Sequence, residues 1–62
     1  NIFAYTRKLN NKTVLVAGNL TDHVASLNLP FEVEPSQIKL HNYKNDLDIT
    51  NMRPFEAFVA EL

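Results

Sequence analysis

Two histidines, four glutamates and two closely spaced loop aspartates are the residues here with the most obvious chemistry. His23 and His41 are the only candidate imidazole ligands. They fall on different predicted strands with no third ligand at a recognisable spacing. A metal site needs three or four ligands in fixed geometry, so ordinary strand-end roles are the better reading and no metal is expected. Asp46 and Asp48 are spaced like the start of a calcium loop. The glycine that turns such a loop and its closing bidentate glutamate are both missing, which leaves solvated loop carboxylates. Glu32, Glu34, Glu56 and Glu61 offer pairs of the kind a glycosidase uses. Such pairs must face each other across a pocket, about 5–10 Å apart, and a short sheet leaves little room for one. There is no Gly-x-Ser-x-Gly elbow. The single glycine excludes a glycine-rich phosphate loop. No catalytic residue and no cofactor is therefore assigned.

Asn11-Lys12-Thr13 and Asn19-Leu20-Thr21 match the glycosylation sequon. Asn and Thr also occupy turns for backbone reasons, and that reading is preferred. The aromatic residues suit a core better than a sugar-stacking platform. Tyr43 is the exception, because it lies in a polar stretch. It is read as a lid over the core edge, or as a contact to a partner domain or a sugar.

The elements that would hold these residues are short strands between turn signals. Ile2 to Lys8 is rich in residues that suit a pleated surface. Asn10-Asn11-Lys12 is a turn, and Thr13 to Ala17 is β-branched and apolar on both faces, a covered central strand. Together they predict a hairpin. Gly18-Asn19 breaks the pattern, and Leu20-Thr21-Asp22 makes a second turn. His23 to Leu29 alternates, with Ala25, Leu27 and Leu29 inward and Ser26 and Asn28 outward, as in a half-buried strand. Pro30 ends it, and Phe31 and Val33 pin the following loop to the core. Gln37 to His41 is a fourth strand with Ile38 and Leu40 inward. Asn42 to Asp48 is a loop, with Ile49 opening a further short strand. Pro54 precedes a last strand, Phe55 to Leu62, with Phe55, Ala57 and Val59 on one face. No helical period extends over three turns. The expectation is all-β: a small antiparallel β-sandwich or open sheet of five to six short strands, forming one domain over residues 1–62.

Composition narrows the function classes. Apolar residues make up 45% and charged residues 21%, which suits a globular chain rather than a disordered one. The net charge is −1 and the six basic residues are scattered, so nucleic acid is not an expected partner. The longest apolar run, Val14 to Ala17, is far short of a membrane span. No cysteine is present, which fits a cytoplasmic protein and removes disulfides as a staple. A chain of this size without staples is expected to lean on a neighbouring domain or on a second copy of itself, as a homo-oligomer. The opening Asn-Ile-Phe, without methionine, is read as a fragment of a longer protein.

Four stretches carry a family likeness. Ile2-Phe3-Ala4-Tyr5-Thr6-Arg7 is followed by Thr13-Val14-Leu15-Val16-Ala17-Gly18-Asn19-Leu20-Thr21. Asn42-Tyr43 comes next, and Met52-Arg53-Pro54-Phe55-Glu56-Ala57-Phe58-Val59-Ala60-Glu61-Leu62 closes the chain. In this order they resemble the C-terminal β-domain of glycoside hydrolase family 13 α-glucosidases, in the oligo-1,6-glucosidase and dextran glucosidase group. The likeness covers nearly the whole chain. Ala17-Gly18 departs from it, standing where bulkier residues usually precede the Asn-Leu-Thr turn.

The resemblance implies a parent enzyme that hydrolyses terminal α-glucosidic bonds of short oligosaccharides with retention. It places the aspartate nucleophile and glutamate acid/base in a (β/α)₈ barrel absent from this sequence. No residue here inherits a catalytic role. The implied role is a non-catalytic accessory domain whose partner is that barrel. α-1,4 and α-1,6 preference stay open, as do sugar isomerase and trehalose-phosphate hydrolase parents. A carbohydrate-binding module and a self-associating β-module are the rival readings.

Overall fold

Asn10 and Asn11 both adopt positive φ, 48° and 70°. Two such residues in a row make the turn that matches the natural twist of a hairpin, and Asn tolerates it. They fold β1 (Ile2–Leu9) back onto β2 (Lys12–Asn19) in the computed structural model, which describes residues 1–62. Lys12 belongs to the strand rather than the turn. The other strands are β3 (Ile38–His41) and β4 (Ala57–Glu61). They form one antiparallel open sheet in the order β1-β2-β4-β3. The chain is all-β, with two short 3₁₀ turns at Pro35–Gln37 and Ile49–Asn51 and no α-helix.

The β-branched run of β2 is central, as its two-faced apolar pattern predicts. Leu15 and Ala17 point inward with Phe58 and Ala60 of β4, and Leu27 and Met52 close over them from the loops. Ile2, Leu29, Val33, Ile38, Leu47 and Ile49 pack around this centre. One sheet face is thus covered by chain 20–37 and 42–56. The opposite face carries Phe3, Tyr5, Val16, Leu40, Ala57 and Val59, joined across the strands by the pairs Phe3–Gly18, Tyr5–Val16, Val16–Val59, Gly18–Ala57 and Leu40–Val59. No further part of the chain covers it.

Four strands form, not five or six. His23–Leu29 keeps its predicted alternation, with Leu27 buried and Ser26 and Asn28 exposed. It is not a strand, because its neighbour is a 3₁₀ turn rather than an extended segment. Only Ala25 and Met52 form a bridge, with one more bond from Leu27 N–H to the Ile49 carbonyl. Ile49 opens that 3₁₀ turn rather than a strand, since the Asp48 side chain caps it by accepting from Thr50 N–H.

Leu40 is not inward. A bulge between Ile38 and Leu40 adds a residue to β3, so Leu40 crosses to the outer face, 68% exposed. Phe31 is largely exposed, and only Val33 ties that loop to the core. Gly18-Asn19 does not interrupt β2; the strand runs through both. The Phe3 ring lies over Gly18, where a Cβ would sit 2.7 Å from Phe3 Cε1. Gly18 thus admits an aromatic ring flat against the sheet. The last strand starts at Ala57. Pro54 and Phe55 are instead the corner of a turn closed by Glu56 N–H to the Arg53 carbonyl, 3.0 Å. Pro54 suits the first corner, and the second takes φ 57°, where glycine is usual. Phe55 there is 59% exposed and shares no face with Ala57 and Val59.

Candidate functional site

The Arg53–Glu56 turn places a carboxylate under the sheet end. Glu56 is fully buried. Its Oε1 accepts from Arg53 N–H (2.7 Å) and Arg53 Nε (3.1 Å), and its Oε2 accepts from Arg53 Nη2 (2.7 Å). His41 Nε2 lies 2.5 Å from Oε2. Burial alone would raise the carboxyl pKa. Hydrogen bonds from the Arg53 side chain and backbone and from His41, with the Arg53 charge, outweigh it and hold Glu56 down to about 2. The carboxylate is therefore ionised and only accepts, so His41 Nε2 carries the proton. The same pairing raises the Arg53 guanidinium above its ordinary value.

Tyr43 joins this cluster from the loop after β3. Its hydroxyl donates to the Pro54 carbonyl (2.6 Å), and the Arg53 guanidinium lies over its ring at 4.2 Å. The His41 and Tyr43 rings are stacked with centroids 6.4 Å apart. Asn42 brackets the same turn. Its Nδ2 donates to the Phe55 carbonyl (2.8 Å), and its Oδ1 accepts from Ala57 N–H (2.9 Å).

Asn19 holds the turn from the other side. It is 1% exposed. Its Nδ2 donates to the carbonyls of His23 (2.8 Å), Met52 (3.0 Å) and Arg53 (3.1 Å). Its Oδ1 accepts from Thr21 N–H (2.9 Å) and Thr21 Oγ1 (2.6 Å), which makes an Asx-turn. The nitrogen that a glycan would use is thus buried and bonded. Asn11, of the other sequon, is exposed in the hairpin turn.

This network cannot do acid–base work. Glu56 has no surface through which to touch a substrate, and its oxygens are already occupied. What it does is bring three remote stretches together: Asn19–Thr21, His41–Tyr43 and the turn Met52–Glu56. No buried side-chain polar atom is left without a partner.

Beside the cluster is an open cleft of about 930 Å³. Its floor is aliphatic, including Leu27, Leu29, Val33 and Ile38, and its rim carries Glu32, Asp46 and Asp48, with Tyr43 at one side. Asp48 is engaged with Thr50 and Asn51, whose hydrogen bonds lower its pKa. The Asp46 carbonyl accepts from Arg53 Nη2 (3.2 Å). His23 is exposed beside Asp22, while His41 is bound to Glu56, so the two histidines do not meet. No three of the His, Asp and Glu side chains form a group able to hold a metal. Glu34 backs the Pro35–Gln37 turn, and Glu61 pairs with Lys12 at 3.3 Å on the surface.

Sequence reasoning missed Asn19, Arg53 and Glu56 as one unit. A signal for Arg53 and Glu56 was there: opposite charges three residues apart around a proline read as a turn closed by an ion pair. Asn19 carried one too, since an Asn-x-Thr after a buried strand is an Asx-turn in a place water does not reach. No family model, curated protein or solved structure matches the chain. No helix is long and apolar enough to cross a membrane.

Proposed function

We propose that this chain is the non-catalytic C-terminal accessory domain of an α-glucosidase of glycoside hydrolase family 13. One observation carries the reading. The stretches that resemble that family, Asn19-Leu20-Thr21, Asn42-Tyr43 and Arg53-Pro54-Phe55-Glu56, converge on a single hydrogen-bonded network. Residues far apart in the chain but joined in one network form a unit that a shared fold would keep together.

The uncovered outer face adds support. Phe3, Tyr5, Val16, Leu40, Ala57 and Val59 are apolar, and a neighbouring body would bury them. In this reading a catalytic (β/α)₈ barrel is the partner, and strands beyond the four seen here complete a sandwich. The parent hydrolyses terminal α-glucosidic bonds by a retaining mechanism within the barrel, in the cytoplasm. The domain itself performs no catalysis and recruits no cofactor, nucleic acid or membrane. A sugar-binding role for Tyr43 finds less support, because its hydroxyl is taken by Pro54 and one ring face by Arg53.

The test adds the purified chain to an α-glucosidase barrel made without its own C-terminal domain. Co-elution and a raised unfolding temperature of the barrel are expected, with no turnover by the chain alone. Hydrolysis of an α-glucoside by the 62-residue chain itself would overturn the reading, as would a barrel indifferent to it.

A further inference from the structure

The two edges of the sheet are unequal. β3 has four residues and a bulge, and both features blunt an edge against further pairing. β1 has eight residues in unbroken register with β2 and contains no proline, glycine or bulge. Its outer edge faces solvent.

Hydrogen-bond phase tells which groups that edge presents. In an antiparallel pair, opposed residues alternate between bonded and non-bonded pairs. Leu20 N–H donates to the Asn1 carbonyl (2.8 Å), so the odd-numbered residues of β1 are those bonded to β2. The N–H and C=O groups of Ile2, Ala4, Thr6 and Lys8 therefore point away from the sheet.

We infer that β1 is a homotypic pairing surface: two copies of the chain join their β1 strands antiparallel about a two-fold axis at Tyr5. This register opposes Ile2 with Lys8 and Ala4 with Thr6, so every outward-facing backbone group finds a partner. It opposes Phe3 with Arg7 and Tyr5 with its own copy. The guanidinium meets an aromatic ring, and the two tyrosines meet each other. Both charges lie at one end of β1. Antiparallel pairing centred on Tyr5 keeps them apart, whereas parallel pairing, or a two-fold at Arg7, stacks like charges. Registers centred on Ala4 or Thr6 leave one strand end unpaired. The blunted β3 edge then closes the assembly as a dimer instead of a growing sheet. The inference rests on the strand edge and is independent of the accessory-domain reading.

Sedimentation equilibrium of the full chain up to millimolar concentration is the first measurement, with twice the 7.1 kDa chain mass expected at the top of the range. The chain has no cysteine, so a single introduced one reports register. Tyr5 faces its copy in a non-bonded pair, where Cα atoms lie about 4.5 Å apart, within disulfide reach. Tyr5→Cys should crosslink readily under mild oxidation, and Phe3→Cys, opposite Arg7, should not. Thr6→Pro removes an outward N–H that the monomer does not use. It should abolish the dimer while far-ultraviolet circular dichroism stays β; if that variant unfolds, the cysteine pair still decides. A monomer at every concentration, equal crosslinking of the two cysteine variants, or a mass climbing beyond the dimer would each overturn the inference.

Discussion

Replacing Glu56 with glutamine removes the charge and keeps the shape. The carboxylate accepts from four donors: Arg53 N–H, Nε and Nη2, and His41 Nε2. An amide has one oxygen. If that oxygen takes the Oε1 site, it still serves Arg53 N–H and Nε. The NH₂ group then faces His41, which changes tautomer and accepts, and Arg53 Nη2, which has nothing to offer but protons. The opposite orientation sets NH₂ against two fixed donors and is worse. The better orientation loses a charge-assisted hydrogen bond of about 1.5–3 kcal/mol and leaves the guanidinium without its counterion. Breaking a buried pair from one side costs about 3–5 kcal/mol. Arg53 keeps a carbonyl partner in Asp46, which sets the expected loss near the lower end, about 2–4 kcal/mol. A domain of this length has roughly 3–9 kcal/mol in all, so Glu56→Gln should lower the urea midpoint severely.

The pH dependence has a defined sign. The folded carboxyl titrates at about 2, below its unfolded value. Its stabilisation is complete above the ordinary glutamate range and fades as pH falls through about 2. The gap between wild type and Glu56→Gln should therefore be constant near neutrality and narrow in acid. Urea unfolding followed by circular dichroism across that range measures it. A neutral-pH gap below about 0.5 kcal/mol, the range of ordinary surface changes, would refute the reasoning. So would a gap unchanged in strong acid.

Three further outcomes are expected. Asn19→Asp keeps the acceptor for Thr21 and aims a carboxylate at three carbonyls, so it should destabilise by several kcal/mol, on the order of a buried unpaired charge; thermal melts should show it losing far more than Thr21→Val. Gly18→Val should cost about 1–3 kcal/mol by displacing the Phe3 ring, and the cost should shrink in a Phe3→Ala background, which a double-mutant cycle reads directly. Phe55→Gly should raise the unfolding free energy by about 1 kcal/mol and move the urea midpoint up with it, because it relieves a left-handed backbone at an exposed side chain; an unchanged or lower midpoint would show that the ring packs usefully after all.

The all-β class, the hairpin and its Asn-Asn turn, the central position of β2, and the inward side of 25–29 were legible in the residues alone. Each follows from local rules: β-branched residues favour a pleated surface, asparagine tolerates positive φ, and period-two alternation marks a face whether or not a strand forms. Tertiary structure alone decided what those faces meet. Segment 23–29 lacks an extended neighbour and so stays a single bridge. One extra residue in β3 moves Leu40 across the sheet, and nothing in Gln37–His41 announces it. Glu56 looks like any strand glutamate until the fold brings Arg53 and His41 around it. Asn19 looks like a sequon until the Met52–Arg53 carbonyls close over its amide. Burial and long-range partners set the chemistry of a polar side chain, and they exist only once remote segments share one space.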